Sequence, residues 1–449
     1  MRSKKSPSRL SRNGLRACAA ALLLALGAGA AGPARAQSLS LDRDRCLDML
    51  KVLKDDIKNN YYDPTFHGID LEARFKTAAD KLKQATTRGQ MFGIIAQTLL
   101  DFNDSHLFFV PPDRPGRTDY GWQVQMVGNE AYVSAVKPGS DAEAKGLKPG
   151  DRVLAVDGVG LTRANLWIFK YLYYSLRPRG GVHLVVQSPG GPERPLDVAA
   201  RVQTGKLVMD LTQGQDFMTL VREAETEDRL HRHRYYDDGQ ELMIWKMPQF
   251  DLPRDKVYDL MDKARKHKAL IIDLRGNGGG AEETLLALLG CFVKEDVQIG
   301  EMKRRKETKP LMVKTHGADK AFGGQLFVLV DSESGSASEL FARAVQLQHL
   351  GTVIGDQTAG AVMRARGYSH KMGADVVIFY GASVTDADLV LSDGKSLEHV
   401  GVTPDKLLLP TGADLAAGRD PVLAYAASLA GINLAPEKAG TLFPIEWHK

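Results

Sequence analysis

Two short segments constrain the fold of this chain more than any other feature, since each reads as a strand, a turn and a helix. The first, LIIDLRGNGGG, spans residues 270–280, and the second, SGSASELFARAV, spans residues 334–345. Apolar runs at 269–274 and 325–330 predict the buried strands that lead into the two turns. The first N–H groups of each following helix have no partner inside the helix, so both turns can hold an anion.

The residue types at the two turns suggest one kind of chemistry. A serine at the start of a helix can act as a nucleophile, and N–H groups of a glycine turn can stabilise an oxyanion. The pair therefore predicts acyl transfer, most simply peptide hydrolysis. Two other interpretations compete. The glycine turn could bind a dinucleotide, although it lacks the spacing of that fingerprint, and SGSASE could be only a helix cap completed by Glu339.

The first 36 residues have the organisation of a secretory signal peptide. Residues 1–16 carry six basic and no acidic residues, residues 17–31 are apolar, and Ala34-Arg35-Ala36 offers a cleavage site. The apolar stretch is short for a membrane span, and no later segment reaches the required length. We therefore expect a mature chain that begins at Gln37, is periplasmic or secreted, and has no stable membrane insertion.

Composition argues against several classes of function. Removing the seven Lys and Arg of residues 1–36 changes the formal net charge from +4 to −3, so no basic nucleic-acid footprint remains. Cys46 and Cys291 are too few for a disulfide framework. They are either two buried thiols or the two halves of one disulfide bridge, and the sequence leaves both possibilities open. The segment His231-Arg232-His233 could suggest a metal, but the neighbouring arginine charge opposes a cation. We expect no metal and no cofactor.

The pattern of apolar residues changes along the mature chain. From Leu41 to Leu100 the spacing is helical and predicts helices near 71–84 and 89–100. The helical part breaks at DFNDSH, residues 101–106, whose Asn, Asp and Ser favour turns. Short Val-rich strands follow between about 117 and 202. The chain thus changes from helical to β structure near residue 117.

Within this β region, the segment KPGSDAEAKGLKPGDRVLAVDG at 137–158 resembles the PDZ domain. PDZ domains add an extended peptide to a sheet edge, and one loop captures the peptide carboxylate. The corresponding loop here contains Tyr120, Gly121, Trp122 and Gln123, and it departs from the usual alternation of glycine and hydrophobic residues. The resemblance implies addition of an internal strand and does not extend to capture of a free C-terminus. The alternative is a small β domain that only separates the two flanking domains and binds no peptide.

With the PDZ-like segment, DLRGNGGG and SGSASE in that order, the chain resembles the C-terminal processing or tail-specific proteases and their relatives in serine peptidase family S41. The resemblance implies an α/β fold with a crotonase-like catalytic core, an inserted PDZ domain and an N-terminal helical domain. It makes Ser336 the nucleophile and the N–H groups of Gly279 and Ala337 the oxyanion hole, while Arg275 and Asn277 shape the turn. The implied division is a signal peptide at 1–36, a helical domain at 37–116, a PDZ domain at 117–203, a catalytic core at 204–412 and a C-terminal helical extension at 413–449.

One position departs from the processing peptidases, which use a lysine base in a G-x-P-T-x-G-K segment. The matching residues, 355–361, end in Ala361, and an alanine cannot accept a proton. The tricorn branch of the family uses serine with histidine instead, and Ser105, His106 and Glu398 resemble its residues in position. In that arrangement His106 is the base, and Glu398 orients it through Ser105.

The sequence leaves alternatives to His106 as the general base and to peptidase activity as the function. His399 is the second choice for the base, and Lys371 and Lys395 are substitute lysines. The sequence predicts an exported serine endopeptidase that cleaves unfolded or tail segments of polypeptides through an acyl-enzyme, by Ser-His rather than Ser-Lys catalysis. The alternative is a catalytically inactive S41-like protein that binds peptides or other ligands. The physiological substrate and the oligomeric state do not follow from the sequence.

Overall fold

The computed structural model describes residues 31–112, 116–204, 232–373 and 377–447. Most of the predicted signal peptide lies outside these ranges, and so does His231 of the suggested metal segment. None of the helices within them combines the length and the apolar character that a membrane crossing requires.

Three helices form the N-terminal part, as the apolar spacing predicts: α1 (Ala31–Asn60), α2 (Leu71–Gln84) and α3 (Arg88–Leu100). Asp70 caps α2 by accepting a hydrogen bond from the Ala73 N–H, and Thr87 caps α3 in the same way. Their apolar faces share one buried cluster. The chain leaves α3 through the turn at 101–106 and enters a short strand, β1 (Phe108–Val110).

A small β domain follows, with strands in the order β3-β4-β5-β6-β7. Its elements are β2 (Gly116–Asp119), β3 (Trp122–Val127), β4 (Glu130–Val136), α4 (Asp141–Ala144), β5 (Arg152–Val156), α5 (Leu166–Lys170), a helical turn at Tyr171–Leu176, β6 (Gly181–Gln187), β7 (Glu193–Ala199) and β8 (Arg201–Thr204). Among the described residues, β3 pairs with β4 alone, so its second edge is open.

A six-stranded sheet in the order β18-β15-β14-β11-β10-β9 carries the two strand-turn-helix segments at 270–280 and 334–345. Its strands are β9 (Arg234–Asp238), β10 (Leu242–Lys246), β11 (Ala269–Asp273), β14 (Gln325–Val330), β15 (Thr352–Gly355) and β18 (Lys406–Leu407). All neighbours pair in parallel except β9 with β10.

Helices cover both faces of this sheet, which explains the continuous apolar runs of β11 and β14. One face packs on α6 (Arg254–Ala264), α7 (Glu282–Gly290) and α8 (Ala337–Leu347), and the other on α10 (Pro421–Leu429) and α11 (Pro436–Thr441), which follow a short α9 (Gly412–Ala416). Because β11 and β14 are parallel neighbours, with Asp273 opposite Leu329, their following turns meet at one edge of the sheet. Gly279 and Ser336 are thereby brought together.

A second, antiparallel sheet was not predicted from the sequence. It contains β1 and four strands of the core: β12 (Val297–Arg304), β13 (Thr308–Val313), β16 (Met363–Met372) and β17 (Ile378–Leu391). Strand β1 pairs with β17, with Phe108 opposite Ser383. This pairing joins the segment after His106 to the core.

Cys46 and Cys291 are free and buried, so the alternative of a bridge between them is excluded. Cys46 lies in the cluster of the N-terminal helices, and Cys291 follows α7 in the core. Burial raises the pKa of each thiol to about 12, so neither is a reactive thiolate at neutral pH.

Candidate active site

Ser336 is in a strained backbone conformation at the first turn of α8. Its φ of 53° and ψ of −114° are unusual for a residue with a side chain. The Ser336 N–H donates to the Ala361 carbonyl oxygen at 2.8 Å and to Oε2 of Glu339 at 3.1 Å. Strain that is held in place by surrounding contacts is typical of functional positions.

Glu339 is a buried carboxylate that joins this turn to the loop at 355–361. Besides the Ser336 N–H, it accepts hydrogen bonds from Thr358 Oγ1 at 2.5 Å, the Gly360 N–H at 2.8 Å and the Ala361 N–H at 2.9 Å. Burial raises the pKa of Glu339 to about 7, against these hydrogen bonds, which lower it. The capping box expected at SGSASE is therefore present, but it also fixes the neighbouring loop.

Replacing Glu339 by glutamine is expected to lower the free energy of unfolding by about 2 kcal/mol, because the amide NH₂ would face N–H donors that lose their acceptor. Urea unfolding measures the change. Glu295→Gln, at an exposed glutamate, is the matched control. Equal loss of stability in the two variants would contradict this role of Glu339.

The same carboxyl makes stability depend on pH. The folded chain holds the Glu339 proton up to a pKa of about 7, whereas its ordinary value is 4.5. The stability that the proton contributes is therefore fully present below pH 4.5 and is lost as pH rises through about 7. In Glu339→Gln this part of the pH dependence should vanish.

The structure brings the four predicted catalytic side chains into one hydrogen-bonded chain. Oγ of Ser336 lies 3.4 Å from Nε2 of His106, whose Nδ1 lies 2.7 Å from Oγ of Ser105. The Ser105 hydroxyl donates to Oε2 of Glu398 at 2.9 Å, and the Ser105 N–H donates to Oε1 at 2.9 Å. The Val362 N–H holds Glu398 from the other side at 2.8 Å.

This chain of contacts determines which nitrogen of His106 carries the proton. The single hydrogen of the Ser105 hydroxyl goes to Glu398, so the Ser105 oxygen accepts a hydrogen from Nδ1 of His106. Nε2 is then left with a lone pair directed at Ser336. A distance of 3.4 Å is long for a hydrogen bond, as is common before substrate binds.

Burial and charge act on His106 in opposite directions. Burial lowers its pKa below the usual 6.5, while the nearby charges of Glu398 and Asp104 raise it. The net pKa is lowered, so the imidazole is mainly neutral at neutral pH. A neutral imidazole can accept a proton, and the two carboxylates favour the imidazolium that results.

The other bases considered from the sequence are not brought to Ser336. Nε2 of His399 lies 2.9 Å from the Asn103 carbonyl oxygen, and its side chain is half exposed. Lys371 and Lys395 are exposed, and within the described ranges neither forms a hydrogen bond with Ser336. Ala361 contributes its carbonyl oxygen to the Ser336 turn and no base.

The two N–H groups predicted for the oxyanion hole, those of Gly279 and Ala337, lie beside Ser336. They differ in whether they already have a hydrogen-bond acceptor. A Cβ on Gly279, whose φ is 109°, would stand 2.7 Å from Cβ of Ser336, so this position requires glycine. The Gly279 N–H donates to Oδ1 of Asn277 at 2.8 Å. The Ala337 N–H, at the first position of α8, has no acceptor among the described residues. Gly279 therefore stays a prediction, with Asn277 as a competitor for its N–H group.

Arg275 and Asn277 have contacts that hold the glycine turn in shape. Asn277 is fully buried, and its Nδ2 donates to the Met247 carbonyl oxygen at 2.9 Å. The Arg275 guanidinium bonds to the carboxylates of Asp273 and Asp420. Neither side chain forms a hydrogen bond with Ser336 within the described part of the chain.

The predicted peptide-binding loop, Tyr120 to Gln123, lies at the start of the open edge of β3. Tyr120 is buried, and the Gly121 carbonyl oxygen accepts a hydrogen bond from the Lys137 N–H at 2.8 Å. The far end of β3 meets the core, where Ser332 Oγ donates to the Met126 carbonyl oxygen at 2.7 Å. The open edge thus leads from this loop to the turn that carries Ser336.

The part of the metal segment that the structure describes has other contacts. Nδ1 of His233 accepts a hydrogen bond from Nε1 of Trp245 at 3.0 Å, and Nε2 lies 2.8 Å from Oδ1 of Asp251. The described residues contain no group of three or more His, Cys, Asp or Glu side chains that could hold a metal ion.

Comparison with known proteins gives matches over most of the chain. Residues 243–408 match the profile of Peptidase family S41, and residues 112–166 match that of the PDZ domain. A tail-specific protease of Haemophilus influenzae is 29% identical over 259 residues, covering 54% of this chain and 33% of the relative. A protein of Streptomyces coelicolor named as a tricorn protease homolog is 27% identical over 399 residues, covering 83% of this chain and 31% of the relative.

The chain spans about a third of the length of these two relatives. Among solved structures, mature CPAF is similar in fold, with a TM-score of 0.62 and 15% sequence identity. The superposition covers 84% of this chain and 94% of that one. At this level of identity the likeness concerns the fold alone.

Proposed function

We propose that this chain is a serine endopeptidase of peptidase family S41, whose profile residues 243–408 match, with Ser336 as nucleophile and His106 as general base. The observation that carries the proposal is the continuous chain of contacts from Glu398 through Ser105 and His106 to Ser336. A helix cap alone would need none of these three partners.

The contacts support an acyl-enzyme route. Nε2 of His106 takes the proton of the Ser336 hydroxyl as Oγ attacks the carbonyl carbon of the scissile bond. The Ala337 N–H faces the resulting oxyanion, and Gly279 joins it where its N–H turns away from Asn277. His106 then gives its proton to the leaving amine, and water, activated by the same imidazole, releases the acyl group.

Polypeptides are the proposed substrates, captured as an added strand on the open edge of β3. The edge leads toward the Ser336 turn, so a peptide bound along it could continue into the site. The name of the Haemophilus influenzae relative suggests tail segments as one class of substrate. We further propose a crotonase-like core, the domain division given above, and export directed by residues 1–36.

The relay from Glu398 to His106 predicts a specific pattern of kinetic losses. Ser105→Ala and Glu398→Gln should each lower kcat/KM by roughly tenfold to a hundredfold, less than loss of the base itself, because an orienting group can be partly replaced. If both act in one relay, the double variant should lose little more than either single variant. Independent, additive losses would contradict a shared relay.

Labelling with a fluorophosphonate tests the proposed function. The wild-type chain should form a covalent adduct on the peptide that contains Ser336, and it should digest casein. The competing function, an inactive S41-like protein that binds peptides or other ligands, is favoured by Ala361 in the position of the lysine. Casein binding without labelling or cleavage would support that alternative.

A further inference from the structure

Asp104 is a buried carboxylate two residues before His106, and the steps proposed above do not use it. Only 4% of its surface is exposed. Its Oδ1 accepts hydrogen bonds from the His106 N–H at 2.9 Å and from Thr385 Oγ1 at 2.6 Å, and its Oδ2 accepts one from the Tyr61 hydroxyl at 2.9 Å. The donors come from the segment after α1, from the second sheet and from the histidine turn itself.

The three donors to Asp104 are neutral. A buried carboxylate charge is costly unless a positive charge compensates it. Within the described residues, no lysine or arginine forms an ion pair with Asp104. Burial raises the pKa of Tyr61, and Asp104 adds to this effect, so the phenol stays a neutral donor. His106 is the basic group that the carboxylate holds directly, through its backbone N–H. A compensating positive charge therefore arises when His106 is protonated.

We propose that Asp104 is a positioning residue, which fixes the backbone of His106 and supplies negative charge that stabilises the imidazolium formed during the reaction. The proposal deepens the proposed function and rests on His106 acting as its base. It adds a second carboxylate to the one that acts through Ser105.

Other titratable groups pack around this site and bear on its charge. Glu398 faces His106 from the far side of Ser105. Behind Asp104, Nε2 of His67 lies 2.8 Å from the Tyr62 hydroxyl, 3.4 Å from the Tyr61 hydroxyl and 4.0 Å from Oδ2 of Asp63. Burial raises the pKa of Tyr62, and the charges of Asp104, Asp388 and Asp63 add to this effect. Asp104 and Glu398 are the two groups whose charges raise the pKa of His106.

Asp104→Asn separates charge from shape. The amide oxygen can still accept from the His106 N–H and from Thr385, while the negative charge is lost. The midpoint of the His106 titration, followed by NMR on labelled histidine, should therefore move to lower pH. The acidic limb of kcat/KM should move in the same direction, and kcat should fall by about tenfold with KM little changed. The His106 resonance is the one absent from His106→Ala.

Tyr61→Phe is the matched control, since it removes a hydrogen bond to the carboxylate and keeps the charge. Its His106 midpoint should stay at or above that of the wild type, whereas the midpoint in Asp104→Asn should fall. A purely structural role predicts the same direction in both variants. A His106 midpoint that falls in Tyr61→Phe overturns the proposal. So does an unchanged His106 midpoint in an Asp104→Asn chain that is folded. The titration needs no activity, so a chain that fails to hydrolyse casein would refute the proposed function separately.

Discussion

Replacing Ser336 by alanine is expected to reduce casein hydrolysis by about a millionfold, because only the residual catalysis by the oxyanion hole and substrate binding would remain. The substitution removes one oxygen atom, the one that attacks the substrate, and leaves the N–H group that bonds to Ala361 and Glu339. Fluorophosphonate labelling should disappear together with hydrolysis. Thermal unfolding should show that the variant is folded.

Ser392→Ala is the control for this experiment, since Ser392 is exposed and lies outside the site. It should retain labelling and hydrolysis at wild-type levels. A Ser336→Ala chain that still hydrolyses casein would remove the nucleophile from the proposal, and a label found on another serine would say where to look instead.

Loss of the base should have the second largest effect. His106→Ala is expected to lower kcat/KM by at least about a thousandfold, because no other group within the described ranges accepts the Ser336 proton. In the wild type, activity should fall as pH drops through the pKa of His106, since the protonated imidazole cannot act as a base. Burial places that fall below the usual value of 6.5. Rates measured from pH 4 to pH 8 cover the transition.

Adding Ala361→Lys to His106→Ala should not restore activity. Glu398 accepts the N–H of the adjacent Val362, so its carboxylate lies near position 361 and would keep a lysine there protonated. An ammonium group cannot accept the serine proton. Rescue by this lysine, or full activity in His106→Ala, would refute the Ser-His arrangement, and His399, Lys371 and Lys395 would be the next bases to test.

The elements that the sequence predicted correctly are those with a strong local pattern. The helix at 71–84 and the strand at 325–330 have the predicted bounds, because one shows regular apolar spacing and the other is a buried apolar run. The antiparallel sheet was missed because its pairing is not local. Strand β1 joins β17 across more than 270 residues, and β16 is a half-exposed strand rich in charge.

The site shows the same division between what is local and what is not. Ser105, His106, Ser336 and Glu398 were predicted from short motifs and from resemblance to a known branch of the family, and the structure brings their side chains together. Asp104 was seen only as a turn residue, since its partners Tyr61 and Thr385 lie 43 and 281 positions away. The bond between the Gly279 N–H and the Asn277 side chain depends on the fold of the turn, which spacing alone does not show.

The pairing of β1 with β17 also sets the order in which the site can be completed during synthesis. The histidine turn emerges from the ribosome first, the serine follows 230 residues later, and the glutamate comes after a further stretch of core. Among the strands that the structure describes, β1 pairs with β17 alone, so the imidazole cannot be held against the serine before β17 has been made. A nascent chain therefore carries a nucleophile without an oriented base until almost the whole core exists, and proteolytic activity would begin only with the finished fold.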